Sequence, residues 1–303
     1  MIKTLPIKRQ QVLTLFLVTL FILLPGAVHE SQAVSLEAEV DVDWDAGVIF
    51  VEGFGVPPED ADGDQARLLA QRAAKADAYR NAAEYLDGVN VTSRTKVEEY
   101  MVKDDVIETR VEGFIEGARV VTREFEDDAS RVEIALPLEK EEESLTGFFE
   151  TNAREDVEEA PEADRDEYEE VIDEVIEEEE RERIDREEYT GVIIDTRGLN
   201  VETALYPQVF DTEGNLLYGP TTVGIEEPGS ASTLVAYARS MEKAREMERV
   251  GDNPYILEAT SVVDGVDQAP VDIVINEENS GRFLEMDDNT GIIDDRAVVF
   301  VID

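Results

Sequence analysis

The chain has 303 residues, 73 of them Asp or Glu against 27 Lys or Arg, for a formal net charge of -46, with 42% apolar residues, one histidine and no cysteine. The apolar fraction suffices to build real cores, while the carboxylate excess repels phosphate and excludes a nucleic-acid partner, which needs Lys and Arg to displace counterions. Without cysteine there is no disulfide, no thiolate nucleophile and no all-cysteine zinc site.

Residues 1–33 read as a signal peptide. Lys3, Lys8 and Arg9 make a basic start, Val12 to Leu24 is a nearly unbroken apolar run, and Ser31 and Ala33 put small residues at the -3 and -1 positions of a cleavage site. The run falls short of the ~20 residues that span a bilayer, so cleavage after Ala33 is expected rather than retention as an anchor, leaving no integral membrane span. No cysteine follows the run, so the usual bacterial lipid attachment is not expected. The product is expected to be periplasmic or associated with the cell envelope. His29 departs with the signal, which removes Ser-His-Asp and Cys-His catalysis and His-ligated metal sites from consideration. Mutual repulsion among so many carboxylates is screened at ~1 M salt, where the screening length is about 3 Å. The composition therefore predicts a halophilic protein exposed to brine.

From residue 36 to 140 the pattern predicts a β-α-β-β-β module. Gly47 to Gly55 reads as a strand stopped by Pro57-Pro58. Asp62 or Asp64 can cap a helix from Gln65 to Leu86, whose buried side is mostly alanine and can lie close against a sheet, with Gly88 at its C-terminal stop. A short strand at Val89 to Thr92 and a short helix at Lys96 to Val102 follow. Three β-like runs then come at Val106 to Phe114, Ala118 to Phe125 and Arg131 to Leu138, the last two joined by a turn at Asp127 to Ser130.

Within this stretch, Val51-Glu52-Gly53-Phe54-Gly55, Gln65-Ala66-Arg67, Arg72-Ala73-Ala74 and Asp77 to Glu84 resemble the first strand and helix of the LPP-type outer-membrane lipoproteins. Arg110 to Ala118 resembles that family's Gly-aromatic-x-x-Gly hairpin, and a similar module forms the N-terminal domain of flagellar assembly protein T. The resemblance covers roughly residues 47–140. It implies an envelope protein without catalytic residues or cofactor, although the lipidated cysteine of those lipoproteins has no counterpart here. Gly113 and Gly117, flanking Phe114, read as a strand bulge or, functionally, as an edge that accepts a partner strand.

Residues 141–188 read as an acidic helical connector. Within 155–188 there are 20 acidic and 4 basic side chains, yet Tyr168, Val171, Ile172, Val175 and Ile176 recur at helical spacing. Val171, Ile172 and Val175 are therefore candidate partner contacts.

Residues 189–303 predict a mixed α+β domain. Strands are expected at Gly191 to Asp195 and Ala204 to Phe210, a turn at Asp211 to Asn215 before Leu216 to Tyr218, and a helix at Ser232 to Arg249. Strands at Tyr255 to Val263 and Val271 to Asn276 follow, then a short helix at Glu277 to Met286. Ala297 to Ile302 is an unbroken apolar run that suggests a strand covered on both faces.

Few constellations offer chemistry. Asp60, Asp62 and Asp64 alternate on a loop as a calcium site would need, but glycine stands at the fourth rather than the sixth place, so capping and turn formation explain them as well. Asp195-x-Arg197-Gly198 follows a strand and reads as a structural ion pair or turn. The expectation is an α+β protein of two small domains with a connector between them. It is read as a non-enzymatic envelope or flagellar-motor-associated module acting through contact with envelope proteins and needing no cofactor. The alternatives are a periplasmic binding module for a cation or small ligand and a carboxylate-dependent hydrolase.

Overall fold

A computed structural model describes residues 39–126, 128–139, 144–157, 189–224, 232–263 and 268–303. The first half is built on a four-stranded antiparallel sheet, in the order β1 (Val40–Asp43), β2 (Val48–Gly55), β4 (Ala129–Pro137) and β3 (Arg119–Glu126). Helix α1 (Gly63–Asp87) lies across one face of it. Ala66, Ala70, Ala74, Ala78 and Ala82 recur every fourth residue on its buried side, and the strand beneath them carries no side chain where they touch. A Cβ added at Gly53 would lie 2.2 Å from the backbone nitrogen of Ala78, and one at Gly55 2.3 Å from that of Ala74. The close approach predicted for an alanine-faced helix is thus realised by two glycines. Asn81 Nδ2 donates to Glu52 O at 2.8 Å and Phe54 N donates to Asp77 Oδ2 at 2.9 Å, which pins the helix along the strand.

Between α1 and β3 the chain departs from the expected order. Helix α2 (Val97–Lys103) stands where a helix was predicted, but Asp105–Glu116 is a second helix, α3, and not a strand. Asp104 caps it by accepting from Val106 N at 2.8 Å, and Ile107, Val111 and Phe114 form its buried stripe at helical spacing. Gly113 is exposed, with nothing within 4 Å of where a Cβ would be, and Gly117 is the C-cap with φ -76°. The hairpin reading of Gly113-Phe114-x-x-Gly117 is therefore corrected to a helix end. The β-branched residues that suggested a strand are outweighed by the cap and the 3.6-residue period. The module runs β-β-α-α-α-β-β rather than β-α-β-β-β, with β1 as an additional edge strand.

Helix α4 (Leu145–Asp156) begins at Ser144, whose side chain accepts from Gly147 N at 3.4 Å. Its Leu145, Phe149 and Ala153 are fully buried, so residues assigned by sequence to the acidic connector belong to the core. The remainder of that predicted connector, with Val171, Ile172 and Val175, lies outside the described residues, as does the predicted signal peptide.

The second half carries a seven-stranded mixed sheet. In spatial order it is β7 (Leu216–Tyr218), β6 (Val209–Phe210), β10 (Ile273–Ile275), β9 (Pro254–Val262), β5 (Gly191–Asp195), β11 (Val298–Val301) and β8 (Ala236–Ala238). The last four run parallel to one another, β10 is antiparallel to β9, and β7 is antiparallel to β6. All four residues of β11 are buried between β5 and β8, as its unbroken apolar run requires. The predicted turn at Asp211 is present, with Asp211 Oδ1 accepting from the backbone nitrogens of Glu213 and Asn215, each at 2.8 Å. The helix predicted over Ser232–Arg249 is corrected. The buried run Leu234 to Ala238 supplies β8, Ser240 caps a short helix α5 (Met241–Glu246), and Glu248–Val250 forms a 3-10 turn. A run buried on both sides has no polar face to mark a period, so its sequence does not separate strand from helix. Helix α6 spans Glu277–Thr290.

Both halves feed one hydrophobic cluster, in which Leu86 and Phe149 join Tyr206 and Phe300, and the described residues from Glu39 onward form a single compact unit. Leu205 N and Tyr206 N donate to the carbonyls of Asn90 and Val91 at 3.0 and 2.9 Å, and the Tyr206 hydroxyl donates to Thr146 O at 2.9 Å. The architecture is α+β. Among the described residues no helix is long and apolar enough to cross a membrane.

Candidate functional site

Two buried ion pairs fasten the halves together, each with its carboxylate on the first half and its arginine on the second. Glu139, at the end of β4, sits 2.8 Å from Arg249 of the 3-10 turn, with side-chain exposures of 1% and 9%. The same carboxylate accepts from Thr233 N at 2.8 Å and from Thr233 Oγ1 at 3.1 Å. Glu150 of α4 pairs with Arg296 at 3.0 Å. Arg296 adopts φ 51° and is 3% exposed, and its guanidinium also donates to the carbonyls of Ser232 and Gly224. Glu139, Arg249, Glu150 and Arg296 each have a countercharge and hydrogen bonds, so the pairs hold the two halves in place.

A smaller polar cavity of about 170 Å³ lies between Arg94, Gln208, Gln268 and Asp272. Asp272 is 4% exposed, and burial pushes its carboxyl up to about 6, against the opposing pull of hydrogen bonds from Ser93 and the Gln208 backbone and of the Arg94 charge. Gln208 N donates to Asp272 Oδ1 at 2.8 Å.

A cleft of about 840 Å³ opens where the two sheets approach one another. One wall is β1 with the turn Trp44-Asp45, the other is β8 with Arg239 and the outer side of α5, and Tyr85 and Ile302 contribute to its lining. Trp44 meets Tyr237 edge-on, with ring centroids 4.8 Å apart. The Tyr237 hydroxyl accepts from Ala204 N at 3.0 Å and donates to Ala204 O at 3.1 Å, and burial raises its pKa so that it stays protonated. The turn is held by Asp43, whose Oδ1 accepts from Asp45 N and Ala46 N. Asp45 in turn accepts from Glu248 N at 2.8 Å and latches the turn onto the second half. The basic groups in the cleft are already engaged, Lys243 with Glu246 at 3.5 Å and Arg239 with the Asp303 carbonyl at 2.9 Å.

Both walls end in strand edges. Among the described residues, β1 is one terminal strand of the four-stranded sheet and β8 one terminal strand of the seven-stranded sheet. Glu52 N donates to Glu39 O, so the alternation of an antiparallel ladder turns the peptide groups of Val40 and Val42 away from β2. Ile302 N donates to Ala238 O, which by the parallel pattern turns those of Tyr237 away from β11.

The residues singled out from the sequence lie elsewhere. Asp60, Asp62 and Asp64 are exposed beside the start of α1, and Asp62 is its N-cap residue without a side-chain cap bond. Among the described residues no three acidic, His or Cys side chains converge as a metal site would need. Phe114 is 6% exposed and packs edge-on against Phe148, so it belongs to the core and is corrected as a contact candidate; Gly113 and Gly117 are exposed on α3 and at its end. Asp195 and Arg197 form a local pair in which Arg197 Nε donates to Asp195 Oδ1 at 2.8 Å and holds that carboxyl below its usual range. The cleft has no signature in residue order because its walls lie about 200 residues apart in the chain. The one local signal was the Val-Asp-Val-Asp alternation ending at the chain's single tryptophan.

Residues 191–303 match the family model described as Treponema pallidum Tp0624, second domain. The match begins on the first residue of β5 and takes in the whole seven-stranded sheet. No curated protein matches the chain.

Proposed function

We propose that the chain is a non-enzymatic exported protein of the cell envelope, a structural or assembly module that acts by protein–protein contact, in the envelope or at the flagellar motor. The observation that carries this reading is the meeting at one cleft of two strand edges, β1 and β8, that are unpaired among the described residues. Exposed edges are templates for pairing with another chain. The signal-like N-terminus and the resemblance of Val51 to Gly55 and of the helix after it to LPP-type lipoproteins support the envelope placement.

The test is a photo-crosslinking residue placed at Asp41 on β1, with a control at exposed Gln65 on α1, in cells grown in brine. A discrete covalent adduct with an envelope protein at residue 41 and none at residue 65 is the expected result. Equal labelling at both positions, or none at either, would refute the reading. A small-ligand reading has one observation in its favour, since the cleft volume falls in the roughly 300–1,000 Å³ range of small-molecule sites. A melting temperature that falls on exhaustive dialysis of natively purified protein would favour it.

A further inference from the structure

We infer that β1 accepts an extended peptide segment bearing Lys or Arg side chains, which adds to the first sheet as a fifth strand. This rests on the contact reading above and names the chemistry of the partner.

Among the described residues four strand edges end the two sheets, and they are not equivalent. β3 is bulged between Val120 and Thr122, a device that spoils an edge for pairing. All three residues of β7 are buried. β8 opens on the cleft but its residues are likewise buried. β1 pairs with β2 in unbroken register, and among the described residues the outward peptide groups of Val40 and Val42 have no hydrogen-bond partner.

The side chains of β1 choose the occupant. Asp41 and Asp43 are exposed while Val40 and Val42 are half-buried against the core. An added strand would therefore set alternate side chains beside two carboxylates, and cross-strand pairs of opposite charge stabilise while like charges repel. The cations near β1 leave its aspartates free: Lys243 and Arg239 stand on the opposite wall of the cleft, Lys243 beside Glu246 and Arg239 donating to the Asp303 carbonyl, and Arg131, which lines an opening with Asp41, is paired with Glu52. A second copy pairing through β1 would oppose Asp to Asp in a chain of net charge -46, so a basic segment of another protein is the occupant that fits.

Trp44 lines the cleft and is the only tryptophan, so its emission reports occupancy. The experiment titrates the full chain, in the lowest salt at which circular dichroism shows it folded, with a capped eight-residue peptide alternating Val and Lys. Parallel titrations use the same peptide N-methylated at alternate residues and a Val-Glu peptide. The Val-Lys peptide is expected to change Trp44 emission saturably, the N-methylated form to bind at least about tenfold more weakly, and the Val-Glu form not to bind. Val42→Pro removes an outward N–H that β2 does not use and should weaken the Val-Lys peptide about tenfold, whereas Val42→Ala, which trims the same half-buried side chain but keeps that N–H, should leave the affinity unchanged. Asp41→Lys, an exposed change that needs no backbone adjustment, should weaken it about threefold. Equal affinity for the N-methylated or the Val-Glu peptide would overturn the inference. A partner crosslinked at residue 41 whose binding ignores Val42→Pro would also overturn strand addition while leaving the contact reading intact; peptide binding without any cellular adduct would do the reverse.

Discussion

Replacing Glu139 by Ala removes the carboxylate that joins β4 to the second half. The change deletes the contacts to Thr233 N, Thr233 Oγ1 and Arg249 at 2.8, 3.1 and 2.8 Å, and leaves the Arg249 guanidinium, 9% exposed, without its countercharge. Removing one partner of a buried pair costs about 3–5 kcal/mol, because the remaining charge is desolvated and uncompensated. Glu139→Ala should therefore lose about 4 kcal/mol, close to 10 °C in melting temperature for a chain of this size. Glu139→Gln should lose about half of that, since the amide oxygen still accepts from Thr233. Replacing both residues, Glu139→Met with Arg249→Met, should recover most of the loss, because a well-packed apolar pair often matches a buried ion pair. Guanidinium chloride cannot serve as denaturant where charge screening is at issue, so urea unfolding at two salt concentrations is the assay. The penalty should be equal at ~0.5 M and ~2 M NaCl, since salt screens exposed pairs far more than buried ones. A loss for Glu139→Ala below about 1 kcal/mol, or a double variant no better than the single, would refute the reasoning.

Other outcomes follow from the same geometry. Gly53→Ala should cost about 3 kcal/mol, as its Cβ would stand 2.2 Å from Ala78 N, whereas Gly113→Ala, on an open helical site, should gain about 1 kcal/mol; urea midpoints showing the reverse order would contradict the packing described for α1 and β2. Asp272 has its carboxyl raised from 3.8 to about 6, so the folded state holds the proton more tightly. Its contribution to stability is full below about pH 4 and lost as pH rises through 6, amounting to about 3 kcal/mol by pH 7. Asp272→Asn should remove that component, and identical slopes of unfolding free energy between pH 4.5 and 7.5 in both proteins would exclude it. The net charge of -46 predicts that stability rises from ~0.1 M to ~2 M NaCl, and a salt-independent melting curve would be inconsistent with a brine-adapted surface.

Elements with a single dominant signal were legible from residue order. The alanine stripe of α1, the glycine-bearing strand beneath it and the apolar run of β11 each carry one period or one composition that no alternative satisfies. Where two signals competed, the reading failed. Residues 105–116 combine β-branched residues with a helical stripe, and the cap at Asp104 decided between them. Helix α4 hid its stripe of Leu145, Phe149 and Ala153 at the margin of an acidic run. The ion pairs and the cleft were illegible for a different reason. With 73 carboxylates in the chain, nothing local distinguishes Glu139 or Glu150 from the rest; their roles come from arginines about 110 and 146 residues away. Trp44 likewise gains its meaning only from Tyr237 across the cleft.

The placement of those two arginines bears on how the matched segment travels through evolution. Arg249 and Arg296 both lie within residues 191–303, yet the carboxylates that neutralise them are contributed from upstream. Any protein that inherits this segment on a different neighbour must either bring two acidic side chains of its own to the same interior positions or lose both guanidinium groups. Substitution at positions 249 and 296 should therefore track the identity of the preceding module among such proteins.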